Sequence, residues 1–215
     1  LHEGNDSRGI DVGLLSSLTV AFQRSHARAT FGRLGIHPPK GASINDYVFR
    51  RDCLEVDVEK DGRLLTLFVC HFKSMHGGRK RTVAMREAEA QAVRRIVSQR
   101  FDDPAKAEWV ILGDFNDYWE VDGRPARPHG LGALVGDGFA IDLASRAIAD
   151  PYDRWTHHYS GDDTYGALDH IFLSPKLAAL NPAARVEIVR AGSPYRAARY
   201  DGARFTGVGW ITPKA

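Results

Sequence analysis

Three short segments of this 215-residue chain bring together side chains able to act on a phosphate ester. In Ile111-Leu112-Gly113-Asp114-Phe115-Asn116-Asp117 an apolar run delivers a carboxylate and, two residues later, a carboxamide. Phosphodiester hydrolysis needs one group to align or deprotonate the attacking water and another to donate to the non-bridging oxygens. Asp114 suits the first role and Asn116 the second. An isolated Gly-Asp would do no more than end a strand and cap the next turn. In Val69-Cys70-His71-Phe72-Lys73-Ser74, alternation puts His71 on one face with Leu65, Leu67 and Val69, pointing inward at the mouth of the core. There, beside Lys73, it can be a phosphate ligand or a hydrogen-bonded core histidine. In Ala167-Leu168-Asp169-His170-Ile171-Phe172-Leu173-Ser174-Pro175, Asp169 sits in an apolar strand, where an unpaired carboxylate is costly and calls for a partner such as an imidazole.

The elements that must hold these residues follow from pattern. Residues 49–59 and 64–71 read as strands around Asp61-Gly62, the strongest signal for a two-residue type I′ hairpin. That register sets Lys60 opposite Arg63, Val56 opposite Leu67 and Cys53 opposite Cys70. The two sulfurs then face each other, either as a strained cross-strand disulfide or as two buried thiols. Residues 82–101 form an amphipathic helix with Met85, Ala88, Ala92 and Ile96 on one stripe, widened by Val93 and Val97, and stopped by Asp102-Asp103-Pro104. Short strands are expected at 9–16, 109–112, 167–173 and 185–190, and a long surface loop at 23–45. Hairpin strands mixed with helices indicate a two-sheet α/β architecture and not a simple parallel sheet.

Composition narrows the class. With 43% hydrophobic and 26% charged residues the chain resembles an ordinary globular domain, and no apolar run is long enough to span a bilayer. Net charge is only +2, but its distribution is uneven. Between Asp11 and Asp46 there is no acid, while Arg24, Arg28, Arg33 and Lys40 fall inside that span. His76, Arg79, Lys80 and Arg81 form a second basic group, and Arg185, Arg190, Arg196, Arg199 and Arg204 a third. Acids gather at Asp114, Asp117, Glu120 and Asp122. A carboxylate focus in a basic surround suits a phosphate ester held beside a cation, although each charge alone could be solvated surface.

Taken in order, the segments resemble the endonuclease/exonuclease/phosphatase superfamily of DNase I and exonuclease III. Gly-Asp-Phe-Asn at 113–116 is the most specific match. It is accompanied by Arg8-Gly9-Ile10, by Phe49-Arg50-Arg51-Asp52-Cys53-Leu54-Glu55-Val56, by Cys70-His71-Phe72-Lys73-Ser74 and by Arg86-Glu87-Ala88-Glu89-Ala90. The resemblance implies a four-layer α/β/β/α sandwich of two mixed sheets and one Mg²⁺-dependent site, with Mn²⁺ or Ca²⁺ as alternatives, having Asp114 at the metal. It implies that Asp114 and Asn116 position water and phosphate, that His71 and Lys73 contact phosphate, and that Asp169 orients a catalytic histidine. Cys70 stands where asparagine is usual, and His170 where tyrosine is usual. The family's Gln-Glu strand and terminal Ser-Asp-His are expected beyond the two ends. The chain thus reads as a single truncated domain over 1–215, itself of negligible activity.

The substrate class expected is DNA or RNA, the basic loops favouring nucleic acid over a phosphomonoester or a lipid headgroup. A non-catalytic phosphate- or nucleic-acid-binding domain on the same fold is the rival from another class. Calcineurin-type metallophosphatase, zinc-site and Ser-His-Asp readings each lack their required motifs. No feature specifies a protein partner. Resemblance to secreted bacterial nucleases, with the facing cysteines, leans toward a secreted or periplasmic setting.

Overall fold

The computed structural model describes residues 2–190. Its central feature is a six-stranded sheet in the order β1-β2-β3-β4-β10-β7. The strands are β1 (Thr19–Ser25), β2 (Cys53–Lys60), β3 (Arg63–His71), β4 (Trp109–Asp114), β7 (Ile141–Asp142) and β10 (Asp169–Leu173). The β2–β3 hairpin has the expected register, with Lys60 opposite Arg63, Val56 opposite Leu67 and Cys53 opposite Cys70. Asp61 and Gly62 both take positive φ, as the turn type requires. Only β3 and β4 are parallel. A parallel pair needs a long crossover, and the 22-residue helix α2 (Arg79–Arg100) provides it.

Helix α2 covers one face of this sheet. Ala90, Val93 and Val97 from the helix pack with Phe68, Cys70, Trp109, Ile111 and Phe172 from the strands, all essentially inaccessible to solvent. Phe72 and Phe115, just past the ends of β3 and β4, meet edge-on at 4.8 Å and close the top of the same core. The densest packing therefore involves the strand positions that alternate with Leu65, Leu67 and Val69. Those three, with His71, line the opposite face and are half-buried.

A second sheet, β6-β5-β9-β8, is built from β5 (Glu120–Val121), β6 (Arg124–Pro125), β8 (His157–Tyr159) and β9 (Thr164–Gly166). It is wholly antiparallel, not mixed, because hairpins supply two of its three pairings. The short helices α1 (Phe31–Leu34), α3 (Gly132–Val135), α4 (Leu143–Ala147) and α5 (Pro175–Leu180), with 3₁₀ turns at Pro104–Lys106, Gly136–Gly138 and Pro151–Arg154, complete the elements among the described residues. The chain has the mixed α/β, two-sheet fold of the DNase I-like class. Among the described residues, no helix is long and apolar enough to cross a membrane.

Several local expectations fail for identifiable reasons. Residues 9–16 form no strand; Val12 makes only an isolated bridge to His2, and the first true strand is β1. The span 23–45 is not all surface loop. Its start belongs to β1, and Ala27, Ala29, Phe31, Leu34 and Ile36 are buried, with α1 capped by Thr30 and ended by Gly35 at φ 65°. Residues 185–190 run without strand pairing. Cys53 and Cys70 are buried free thiols, so the disulfide alternative does not hold. Arg196, Arg199 and Arg204 lie outside the described residues.

Gly113 sets how closely β4 approaches β3. It has φ 136°, and a Cβ there would lie 2.0 Å from the Cys70 carbonyl oxygen. Gly113→Ala should destabilise the chain by about 3 kcal/mol or more, since backbone strain of about 1–3 kcal/mol adds to overpacking of similar size. Denaturant unfolding tests this, and an unchanged midpoint would refute the close approach. Thiol titration of unreduced, denatured protein should find two free groups.

Candidate active site

The strand register assembles the site. His71 ends β3 and pairs laterally with Asp114 at the end of β4, and Asp114 pairs with Asp169 at the start of β10. Lateral partners share a face, at a strand spacing of about 4.8 Å. His71, Asp114 and Asp169 therefore stand in one row across three adjacent strands. Asn116 joins them through a tight reversal, in which its N–H donates to Asp114 Oδ1 at 2.8 Å and its own φ is 50°. Asparagine is among the few residues that tolerate this left-handed conformation. Its amide Nδ2 donates to the Phe72 carbonyl at 3.1 Å, which leaves one amide hydrogen unassigned.

Electrostatics differ along the row. Burial, reinforced by the Asp169 carboxylate, pushes Asp114 up to about 6 against the opposing Asn116 N–H. Burial, aided by the Arg51 guanidinium, holds His71 below the usual histidine range. At neutral pH the imidazole is therefore neutral. Its Nε2 lies 3.6 Å from Asp114 Oδ2, too far for a hydrogen bond, so the two are neighbours without being an ion pair. Their side chains are 23% and 36% exposed, which leaves room for a ligand at both.

Asp169 departs from expectation. It is exposed at the strand's first position, so burial does not force a partner on it, and no imidazole hydrogen-bonds to it among the described residues. Its backbone N–H donates to Thr156 Oγ1 at 3.2 Å, which fixes where β10 begins. The neighbouring His170 is the buried residue, near Asp142 at 3.6 Å and bonded to the Ala167 carbonyl at 3.1 Å. Lys73 is not in the row either. Its ammonium bonds to Ser74 and lines an adjoining cleft with Arg8, Arg50 and Arg51.

Behind the site lie two residues of the matched segment 86–90 whose roles the sequence left open. Arg86 and Glu89 are fully buried charges on the face of α2 that carries its apolar stripe. Arg86 Nε meets Asp117 Oδ2 at 2.9 Å, and its Nη1 reaches the Lys73 carbonyl at 3.3 Å. Glu89 accepts from the backbone N–H of Lys73 at 2.7 Å and of Arg50 at 3.0 Å. The signal for both was available: positions 86, 89, 93 and 97 share the helical period, so charges there continue an apolar register.

A row of one imidazole and two carboxylates thus stands at a sheet edge of a two-sheet α/β scaffold, with a carboxamide beside it. The sequence profile of the Endonuclease/Exonuclease/phosphatase family matches residues 1–177, and the chain belongs to that family. Among solved structures, the human Nocturnin catalytic domain, which holds a sulfate anion, is 14% identical. The match covers 73% of this chain and 48% of that one, with a TM-score of 0.50. A humanized D. rerio TDP2 is 18% identical over 57% of this chain and 45% of that one, with a TM-score of 0.42. A mannosyl-6-phosphatase from Bacteroides thetaiotaomicron is 16% identical over 74% and 53%, with a TM-score of 0.44. The chain thus spans about half the length of these structures. Among curated proteins none matches significantly.

The like-charge neighbour makes the Asp114 titration a test of the geometry. In metal-free protein the Asp114 carboxyl should titrate near pH 6, followed by its side-chain ¹³C shift, and Asp169→Asn should move that midpoint down. The raised value means that the folded state holds the proton more tightly, so ionising Asp114 costs stability as pH rises from 3.8 through 6. A midpoint insensitive to Asp169→Asn would separate the two carboxylates.

Proposed function

We propose that the protein carrying this chain is a metal-dependent phosphodiester hydrolase acting on nucleic acid. The observation that carries the reading is the His71–Asp114–Asp169 row with Asn116 beside it. Asp114, ionised above about pH 6, accepts a hydrogen bond from the attacking water and aligns it. The remaining Asn116 Nδ2 hydrogen and the neutral His71 imidazole donate to non-bridging phosphate oxygens, charge on which grows toward the transition state. Asp169 keeps the row negative and open to solvent at its far end.

A hard divalent cation, Mg²⁺ above all, fits this donor set. Mg²⁺ is held by one or two carboxylates completed by water and substrate oxygens, and the paired Asp114 and Asp169 offer two, although among the described residues no three imidazole, thiol or carboxylate side chains converge to hold an ion by themselves. Bound there by Asp114, with Asp169 beside it, such an ion supplies charge neutralisation for the phosphate. Nucleic acid is favoured over a monoester or lipid headgroup by the cations that wall the adjoining cleft, Arg8, Arg50, Arg51 and Lys73.

The test is cleavage of plasmid DNA and of bis(p-nitrophenyl) phosphate by the complete gene product. Hydrolysis should require Mg²⁺, stop with EDTA, and fall about 10²–10⁴-fold in Asp114→Ala. Asn116→Ala should lose about 10²–10³-fold, the usual effect of removing one transition-state donor. Full activity in Asp114→Ala would end this assignment. Preference for monoesters would place the protein with the phosphatases.

A further inference from the structure

We infer that the chain carries a second small-molecule site, remote from the His71–Asp114–Asp169 row, that takes a nucleoside monophosphate. It is the pocket at the β7 edge of the six-stranded sheet, walled by the β5–β6 hairpin and the ends of α3 and α4, with a volume of about 550 Å³. Small-molecule sites generally run to about 300–1,000 Å³. Register puts this one on the other face of the sheet from the row. Asp142 in its wall is paired with Phe172, which packs in the α2 core. Asp169 stands three positions earlier on β10 and so points the opposite way.

The wall supplies two complementary features, of which one is charge. Arg127, Arg146 and Arg154 meet Glu120 and Asp142 there. Arg154 neutralises Glu120 through contacts of 2.9 and 3.2 Å. Asp142 is turned inward: its Oδ2 caps α4 by accepting from the Ser145 N–H at 2.7 Å, and its Oδ1, inaccessible to solvent, lies 3.6 Å from His170 Nδ1. Burial holds His129, also in the wall, below the usual histidine range, so it adds no charge at neutral pH. Arg127 and Arg146 remain, neither with a carboxylate partner among the described residues. Arg146 donates to the Ala178 carbonyl at 2.8 Å and to the Asn181 carbonyl at 3.1 Å, which fix the guanidinium without neutralising it. Arg127 is exposed at the rim. A fixed guanidinium with a free one near it suits a phosphoryl group.

The other feature is an aromatic wall. Trp119 rests on His170 at 4.7 Å and on Phe172 at 5.6 Å on its core side. It is only half-buried, so the rest of the indole faces the pocket, where Val135, Ala140 and Ile141 continue the apolar surface. An indole among apolar side chains takes the π-face of a nucleobase. Cations and a flat aromatic in one pocket specify a ligand with a planar ring and an anionic end. The choice of a nucleotide among such ligands rests on the phosphodiester reading above, since cleavage of nucleic acid releases nucleotides.

The experiment is calorimetric titration of the chain with adenosine 5′-monophosphate (AMP) in EDTA, with ribose 5-phosphate and adenosine as partial ligands. AMP should bind more tightly than either. Arg127→Gln should weaken AMP binding about tenfold and Trp119→Leu by a similar factor, while His71→Ala in the row changes it little. Arg127 is exposed, so its variant should keep the wild-type denaturation midpoint, and it carries the test even where Trp119→Leu unfolds. AMP that does not bind at about 1 mM, equal affinity for ribose 5-phosphate, or loss in His71→Ala but not in Arg127→Gln would overturn the site. If the complete gene product proves unable to hydrolyse phosphodiesters while AMP still binds through Arg127, the hydrolase reading fails and the nucleotide site stands.

Discussion

The arrangement depends on two carboxylates buried against helix α2. Asp117 is inaccessible to solvent and is met by Arg86 Nε at 2.9 Å, Arg79 Nε at 3.3 Å, its neighbour's N–H at 2.9 Å and the Gly130 N–H at 2.8 Å. Glu89 is equally buried and binds two backbone N–H groups from different segments. Between them they connect the helix to three segments beside the site: the turn after β3, the turn after β4 and the segment before β2. Removing one partner from a buried pair strands the other charge and costs about 3–5 kcal/mol, a large share of the roughly 5–15 kcal/mol that holds a domain together. The same apolar residues without this polar lattice would still collapse around α2, but nothing would fix the turns that place His71 and Asn116 relative to Asp114.

The two carboxylates are not equivalent. Asp117 has arginine partners on both oxygens, whereas Glu89 is held by neutral backbone donors and distant arginines. Burial therefore dominates at Glu89 and pushes it up to about 7. Because the folded state then retains the proton that an exposed glutamate would lose near 4.5, the floor of the basic cleft is most stable on the acid side. It loses stabilisation as pH rises toward 7.

What the sequence made legible was whatever local chemistry decides. Asp61-Gly62 dictates a turn, the turn dictates the β2–β3 register, and that register alone puts Cys53 opposite Cys70 and His71 at the strand end. The Gly-Asp-Phe-Asn segment is likewise set locally, since Asn116 must both reverse the chain and bond to Asp114. Less legible was anything fixed by distant partners. β1 exists because β2 pairs with it, although most of its side chains are exposed and its own alternation is weak. The second sheet is made of strands two or three residues long, below what periodicity can reveal. Asp169 looked buried because its strand is apolar, yet it is the strand's first residue and stands at the open edge. Arg86 and Glu89 belong to a segment that matched, but their roles depend on partners distant in sequence, Asp117 for the one and the backbone of Arg50 for the other.

The opposition of charge at this edge explains why the site sits where three strands end and the chain turns back. A carboxylate row alone would repel a phosphodiester, and a basic cleft alone would hold it without activating water. Here the two are separated by the Phe72 carbonyl, with Arg51 donating from one side and Asn116 from the other. Burial and the Asp169 carboxylate keep the proton affinity of Asp114 raised against the opposing pull of Arg51, while burial and Arg51 together hold His71 below the usual histidine range. Were Arg51 to bond Asp114 directly, the carboxylate would be too weak a base and the guanidinium would be neutralised. Asp6 instead pairs with Arg51 from the cleft side at 2.9 Å, so a carboxylate of the N-terminal segment helps to set the electrostatics of the row.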